Sequence, residues 1–125
     1  MSDLLKSLHS SAAAMRAQAM RLRTVSENIA NADTPGFHRK IASIKQSSEG
    51  LVEVAKTRLD RSELERVFDP GHPLADDSGY YDGSNVNLII EVADAREAQR
   101  SYEANLKVFD QARQMAQSLF ELIRR

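Results

Sequence analysis

The sequence contains no cysteine and no tryptophan. Without cysteine there is no disulfide framework, no thiolate zinc site and no thiol nucleophile, and the redox compartment stays open. Aromatic residues are scarce, at 6% of 125 residues, a thin stock for a compact core because aromatics usually carry much of the buried area. Neither sign of charge dominates. Seventeen basic residues face eighteen acidic ones, for a net charge of −1, so no single-sign field exists to attract nucleic acid or an anionic membrane. No apolar run approaches the length of a membrane span, and the start, Met1-Ser2-Asp3-Leu4-Leu5-Lys6, lacks the apolar stretch of a secretory signal peptide. Taken alone, these absences describe a soluble cytoplasmic domain.

What is present is informative by position. All five Gly (36, 50, 71, 79, 83) and all three Pro (35, 70, 73) lie between residues 35 and 83. Two breaker-free ends, residues 1–34 and 84–125, flank a middle segment, 35–83, that holds every strong turn former. This predicts helix, irregular middle, helix. The 36 bulky apolar residues divide as 9 in the first 34 positions, 13 in the middle and 14 in the last 42, which leaves no single central core to fill.

Both ends carry an apolar seam. In the first, Leu5, Leu8, Ala12, Met15, Ala19, Leu22, Ser26 and Ile29 alternate at spacings of three and four, narrower than the stripe of an ordinary surface helix. Asp3 is the expected N-cap. The second end runs Leu88, Val92, Ala95, Gln99, Tyr102, Leu106, Phe109, Arg113, Ala116, Phe120 and Ile123 at the same alternation, with Asn85 or Asn87 as its cap. Ile89, Ile90, Val108, Met115 and Leu119 widen that stripe. Between the ends, Leu51-Val52-Glu53-Val54 suits a short strand and Asp60 to Val67 a helical turn or strand. Asp69-Pro70-Gly71-His72-Pro73 suits a compound turn, and Asp76 to Gly83 an acidic loop.

Chemistry-bearing constellations are few. His9, His38 and His72 fall on different segments without metal-ligand spacing. The loop Asp76-Asp77-Ser78-Gly79-Tyr80-Tyr81-Asp82-Gly83 fails the calcium-loop register and lacks its closing Glu. No nucleophile motif, phosphate loop or dinucleotide fingerprint occurs. The reading is no enzyme, with no catalytic residue, metal or cofactor. Arg16, Arg21, Arg23 and the pair Arg39-Lys40 have no recognition helix or stacking platform beside them, so they read as a charged outer helix face and not as a nucleic-acid site.

Two segments stand out. Asn28-Ile29-Ala30-Asn31-Ala32-Asp33-Thr34-Pro35-Gly36-Phe37 ends the first helix, and Pro-Gly suits a type II turn. A helix stop accounts for Pro35 and Gly36 but not for two Asn three apart on one face, where propensity disfavours them. Such amides beside an apolar seam suggest hydrogen bonds to a neighbouring chain that fix register. In Gln99-Arg100-Ser101-Tyr102-Glu103-Ala104-Asn105, a seam Tyr is flanked by polar partners.

These segments resemble the terminal motifs of the bacterial flagellar axial proteins, the rod and hook family. Asn28, Asn31, Thr34, Pro35, Gly36 and Phe37 match the rod signature at the end of the first helix, and Gln99, Arg100, Tyr102, Glu103 and Asn105 match the C-terminal signature. Asp69, Pro70, Gly71, His72 and Pro73, with Asn85 and Asn87, resemble the sequence that marks the proximal-rod members. Ser84 stands where Pro commonly precedes Asn-Val-Asn, which predicts a looser approach to the last helix. The resemblance covers about residues 4–45 and 66–123.

The resemblance implies a mainly α protein, with long N- and C-terminal helices forming a coiled-coil inner layer and a short irregular, β-containing middle. It implies a structural subunit of the proximal rod, the drive shaft from motor to hook. Its partners would be other rod proteins, copies of itself in a helical tube, the membrane-ring junction protein and the flagellar type III export apparatus. No nucleic acid is expected, and no direct membrane insertion. The destination becomes the basal body, crossing the periplasm, after synthesis in the cytoplasm and export without a cleaved signal peptide. The rival reading is an intracellular coiled-coil adaptor or export chaperone.

Overall fold

The computed structural model describes residues 2–124; Met1 and Arg125, the outermost positions of the two expected helical ends, lie outside them. Helix α1 spans Ser2–Ala30 and helix α2 spans Leu88–Arg124. Their 29 and 37 residues correspond to about 43 and 55 Å. α1 forms because its sequence has no Gly or Pro and is rich in Ala, the best helix former. It begins ahead of Asp3, which therefore sits in the first turn instead of capping it. There its carboxylate still favours the positive end of the helix dipole.

α1 stops at Ala30, short of the expected boundary at residue 34. The Asn31 side chain donates to Glu27 O at 2.8 Å and its Oδ1 accepts from the Thr34 hydroxyl at 3.1 Å, so local hydrogen bonds compete with a further turn. Thr34 to Phe37 then closes a turn, with Phe37 N donating to Thr34 O at 3.2 Å. Gly36 occupies the left-handed region at φ 75°, as a type II turn requires at that position. At the other helix, Asn87 is the cap: its Oδ1 accepts from the backbone N–H of Ile89 at 3.0 Å.

The middle is built from three two-stranded antiparallel sheets. β1 (Lys40–Ile41) pairs with β4 (Arg58–Leu59), and β2 (Ile44–Gln46) pairs with β3 (Val52–Val54). The second pair nests inside the first, giving one ribbon over residues 40–59. A turn at its tip has Gly50 N donating to Ser47 O at 2.9 Å, with Gly50 at φ 82°. β5 (Arg66–Phe68) pairs with β6 (Tyr80–Asp82). Tyr80–Asp82 corrects the expectation of a loop there. Its flanking glycines read as loop formers, whereas the pairing with β5 draws the segment into a strand.

The helices are antiparallel, with Asn28 beside Glu91 at one end and Leu4 beside Met115 at the other. β3 and β1 pack on α1. The enclosed apolar residues, among those described, are Ala13, Ala17, Val25, Ala98 and Ala112. Ser11, Thr24, Asn28, Ser84 and Glu91 are enclosed with them. The interior is therefore small and polar, and Val25 is its largest apolar side chain. Close helix approach through small residues contributes dispersion contacts, but little of the area burial that Leu or Phe would supply.

Candidate functional site

The polar residues converge where α1 ends and α2 begins. Asn28 and Glu91 are both 0% exposed. The Asn28 amide donates to Lys40 O at 2.9 Å and to Glu91 Oε2 at 3.2 Å, and its Oδ1 accepts from Lys40 N at 2.8 Å. Glu91 Oε1 in turn accepts from Arg39 Nε at 2.6 Å, a charge-assisted bond of the shorter and stronger kind. Arg39 also lies 3.6 Å from Asp60 and 3.7 Å from Asp94. Asn85 closes the ring: its Oδ1 accepts from Arg39 N at 2.6 Å and its amide donates to Asp60 O at 2.9 Å. One node thus ties both helices to the base of the ribbon. A buried charge is tolerated only with such partners.

Electrostatics at the rim follow the same geometry. Backbone and hydroxyl hydrogen bonds from Ser62, together with Arg39, hold the Asp60 carboxyl below its ordinary value. Lys40, 2.9 Å from Glu27, does the same for that carboxylate.

The expected site residues separate into two sets. Asn28, Asn31, Thr34, Gly36 and Asn85 meet at or beside the node, while Asn87 caps α2. The reading that gave the Asn28 and Asn31 amides to a neighbouring chain is corrected for Asn28, because its amide groups are engaged inside the chain and it is fully enclosed. Asn31 uses its amide to stop α1. Pro35 and Phe37 are half-buried beside this turn. Asp69 to Pro73 lies elsewhere, turning the chain between β5 and β6, with His72 stacked on Tyr81 at 4.0 Å. Ser84 is enclosed and its hydroxyl donates to Ala32 O, which ties down the approach to α2 that was expected to be loose.

Arg39 was read as part of an outer charged face, yet its side chain is 19% exposed and grips Glu91. Glu91 carries a signal that could have found it. It is a lone acid in the run Leu88-Ile89-Ile90-Glu91-Val92, on the first turn of a helix whose partner strand opens with a base.

The apolar seam residues lie on the other side of the matter. Leu8, Met15, Leu22, Tyr102 and Phe109 are half-buried. Leu5, Ile29, Val92, Leu106, Phe120 and Ile123 are exposed. Towards α1, α2 presents Glu91, Ala98 and Ala112. It also leaves Leu88, Ile89, Ile90 and Leu122 exposed, and Val108, Met115 and Leu119 exposed at the cavity they share with Leu4. Of the C-terminal motif, Gln99, Arg100 and Glu103 point to solvent, and Asn105 donates to Ser101 O at 2.8 Å within its own helix. No described helix is long and apolar enough to cross a membrane.

Comparison with known proteins bears on both sets. Residues 8–38 match the family profile described as "Flagella basal body rod protein", and residues 77–122 match "Flagellar basal body rod FlgEFG protein C-terminal". The flagellar basal-body rod protein FlgC of Agrobacterium fabrum is 42% identical to this chain, the alignment covering 88% of each. FlgC of Aquifex aeolicus is 33% identical over 97% of this chain and 98% of its own. FlgC of Salmonella typhimurium is 33% identical over 82% and 84% respectively.

Proposed function

The chain belongs to the flagellar basal-body rod protein family, and from that premise we propose that it is a structural, non-enzymatic subunit of the bacterial flagellar rod. It takes its place in the proximal rod, and α1 and α2 polymerise with neighbouring subunits as the drive shaft between motor and hook. The two discontinuous ends, 1–34 and 84–125, act as one assembly unit that packs as a coiled coil in the inner layer of the tube, and 35–83 forms an outward insert. Its neighbours are other rod proteins, further copies of the chain and the membrane-ring junction protein. It reaches them from the cytoplasm through the flagellar type III export apparatus.

One observation carries this reading. The intramolecular seam is made largely of small and polar side chains, while most bulky residues of α2, among them Leu88, Val92, Leu106, Phe120 and Ile123, are left exposed. Covering each of them contributes about 1.5–3 kcal/mol, which a lone chain forgoes and a packed array recovers. Subunits joined by different faces repeat without closing, which suits a tube.

Leu106→Asp tests the proposal, because Leu106 is exposed on α2 and lies outside the enclosed interior. The variant should accumulate normally and fail to restore motility to a strain lacking the chain, and the wild-type chain should be found in isolated basal bodies. Full motility of the variant, or a wild-type chain confined to the cytoplasm, would count against it.

A further inference from the structure

The geometry points to Asn28, Arg39 and Glu91 as positioning residues that fix the register of α1 against α2. The inference concerns the single chain and does not need the assembled rod.

Along the bulky row of α2 the helix pair discriminates poorly between registers. Val108, Met115 and Leu122 are seven apart, so sliding α2 by one heptad exchanges one bulky apolar side chain for another there. The cavity at the start of α1 is lined by Leu4 and Ser7 with Val108, Ala112, Met115 and Leu119. The same slide would bring Leu122 under Leu4 and cover a side chain that is now 66% exposed. At that end apolar cover alone does not select the observed register, although crowding of Leu119 in the enclosed Ala112 place opposes the slide. Midway along α1, the Gln18 Oε1 atom is enclosed without a hydrogen-bond partner.

At the node the situation reverses. A one-heptad slide moves α2 by about 10.5 Å. It would put Ala98 where Glu91 now meets Asn28, and leave the enclosed Glu91 carboxylate without the Asn28 amide at 3.2 Å or Arg39 Nε at 2.6 Å. An unpaired buried charge is among the costliest defects a protein can carry. Arg21, 3.2 Å from Glu97 and 3.7 Å from Asp94, adds a second, more exposed peg. This is the role a single buried polar residue plays in fixing coiled-coil register.

The absence of cysteine makes the test clean. One reporter carries Leu4→Cys with Met115→Cys, residues that line one cavity. The other carries Leu4→Cys with Leu122→Cys, which a disulfide can join only after the slide, since its Cα atoms must lie within about 7 Å. Oxidation of dilute monomer should give mainly the first product. Glu91→Leu, which leaves Arg39 beside Asp60 and Asp94, should raise the second product about tenfold or more. Glu91→Gln, whose single side-chain oxygen can accept from Arg39 or from Asn28 but not from both, should give a product ratio between those of wild type and Glu91→Leu. Asn28→Ala, which leaves the Arg39–Glu91 pair in place, should give an intermediate yield if Glu91→Leu does not fold. A product ratio unchanged in both Glu91→Leu and Asn28→Ala would overturn the assignment and give register to the connecting turns. Loss of helix in both, without slipped product, would overturn it too.

Discussion

Replacing Leu119, Phe120, Leu122 and Ile123 together by Gln separates residues that hold the fold from residues that hold neighbours. These side chains are 38%, 57%, 66% and 72% exposed on the last turns of α2, so the four leave more than two side chains' worth of apolar surface in water. If a neighbouring subunit covers that surface, the loss is about 3–6 kcal/mol per chain. At about 1.4 kcal/mol per decade, that is a factor of about 10² to 10⁴ in association. Within the monomer little is lost, because Gln matches Leu in helix propensity and each exposed site contributes within about 0.5 kcal/mol. The assay is competition. Wild-type and variant chains are co-expressed at equal levels, basal bodies are isolated, and the ratio of the two is read by mass spectrometry. Urea denaturation of each purified chain supplies the stability control. Exclusion of the variant from basal bodies with an unchanged urea midpoint is expected. Equal incorporation, or a monomer destabilised by more than about 2 kcal/mol, well outside the range for exposed sites, would refute the reasoning.

Three further outcomes follow from the same geometry. Asn28→Leu strands the enclosed Glu91 oxygen and both backbone groups of Lys40, and should cost about 2–3 kcal/mol in urea denaturation, the usual penalty for buried polar groups left unpaired; a change near zero would show that the node carries no stability. Gly79 sits at φ 86°, and an added Cβ would lie 2.8 Å from Phe68 Cε2 and 3.0 Å from Pro70 Cγ, so Gly79→Ala should cost about 1–3 kcal/mol and shift the Tyr80 ring off Phe68, seen as displaced aromatic NMR resonances. Asp76 is held below its ordinary carboxyl value by the Tyr80 N–H and Arg66, and Asp60 by Ser62 and Arg39. Their contribution is therefore present above the unfolded value near 3.8 and lost as pH falls through the lower folded values; acid should loosen β5–β6 and the ribbon base, visible in tyrosine near-UV signals, and a gain in stability on acidification would contradict the assignment.

The parts of this fold that were legible are those whose causes are local. A stretch free of Gly and Pro makes a helix, Pro35-Gly36 makes a turn, and Asn87 beside a run of apolar residues makes a cap. Each answer lies within four residues of its cause. The ribbon over 40–59 was not legible, apart from Val52–Val54, because its strands are two or three residues long, mostly exposed, and defined only by pairs such as Lys45 with Glu53 across a turn. Tyr80–Asp82 was read as a loop for the same reason, since its strand character comes from β5 and not from its own composition. The node was half legible. The two Asn of the first motif drew attention, but the partner of Asn28 is Glu91, sixty-three residues away, and a lone acid in an apolar run marks Glu91 as unusual without naming Arg39 or Asn28 as its partner.

Periodicity showed that α2 is amphipathic without showing which face looks inward. The stripe drawn through Leu88, Val92 and Leu106 and the face through Glu91, Ala98 and Ala112 share a period and differ in phase. A hydrophobic stripe is ordinarily assigned to the chain's own interior. Here that interior is filled by alanine, serine, threonine, asparagine, one valine and one glutamate, and of the stripe's bulky members only Tyr102 and Phe109 are half-buried. The division has a mechanical sense. On the proposed assembly, a monomer held by small residues and one polar node keeps its helices in a defined relation and leaves apolar area for its neighbours. It also fixes where that area sits, because a one-heptad error at Glu91 would move the apolar end of α2 by about 10.5 Å and carry it out of reach of any partner built for the correct register. Specificity inside the chain is thus a precondition for apolar association outside it.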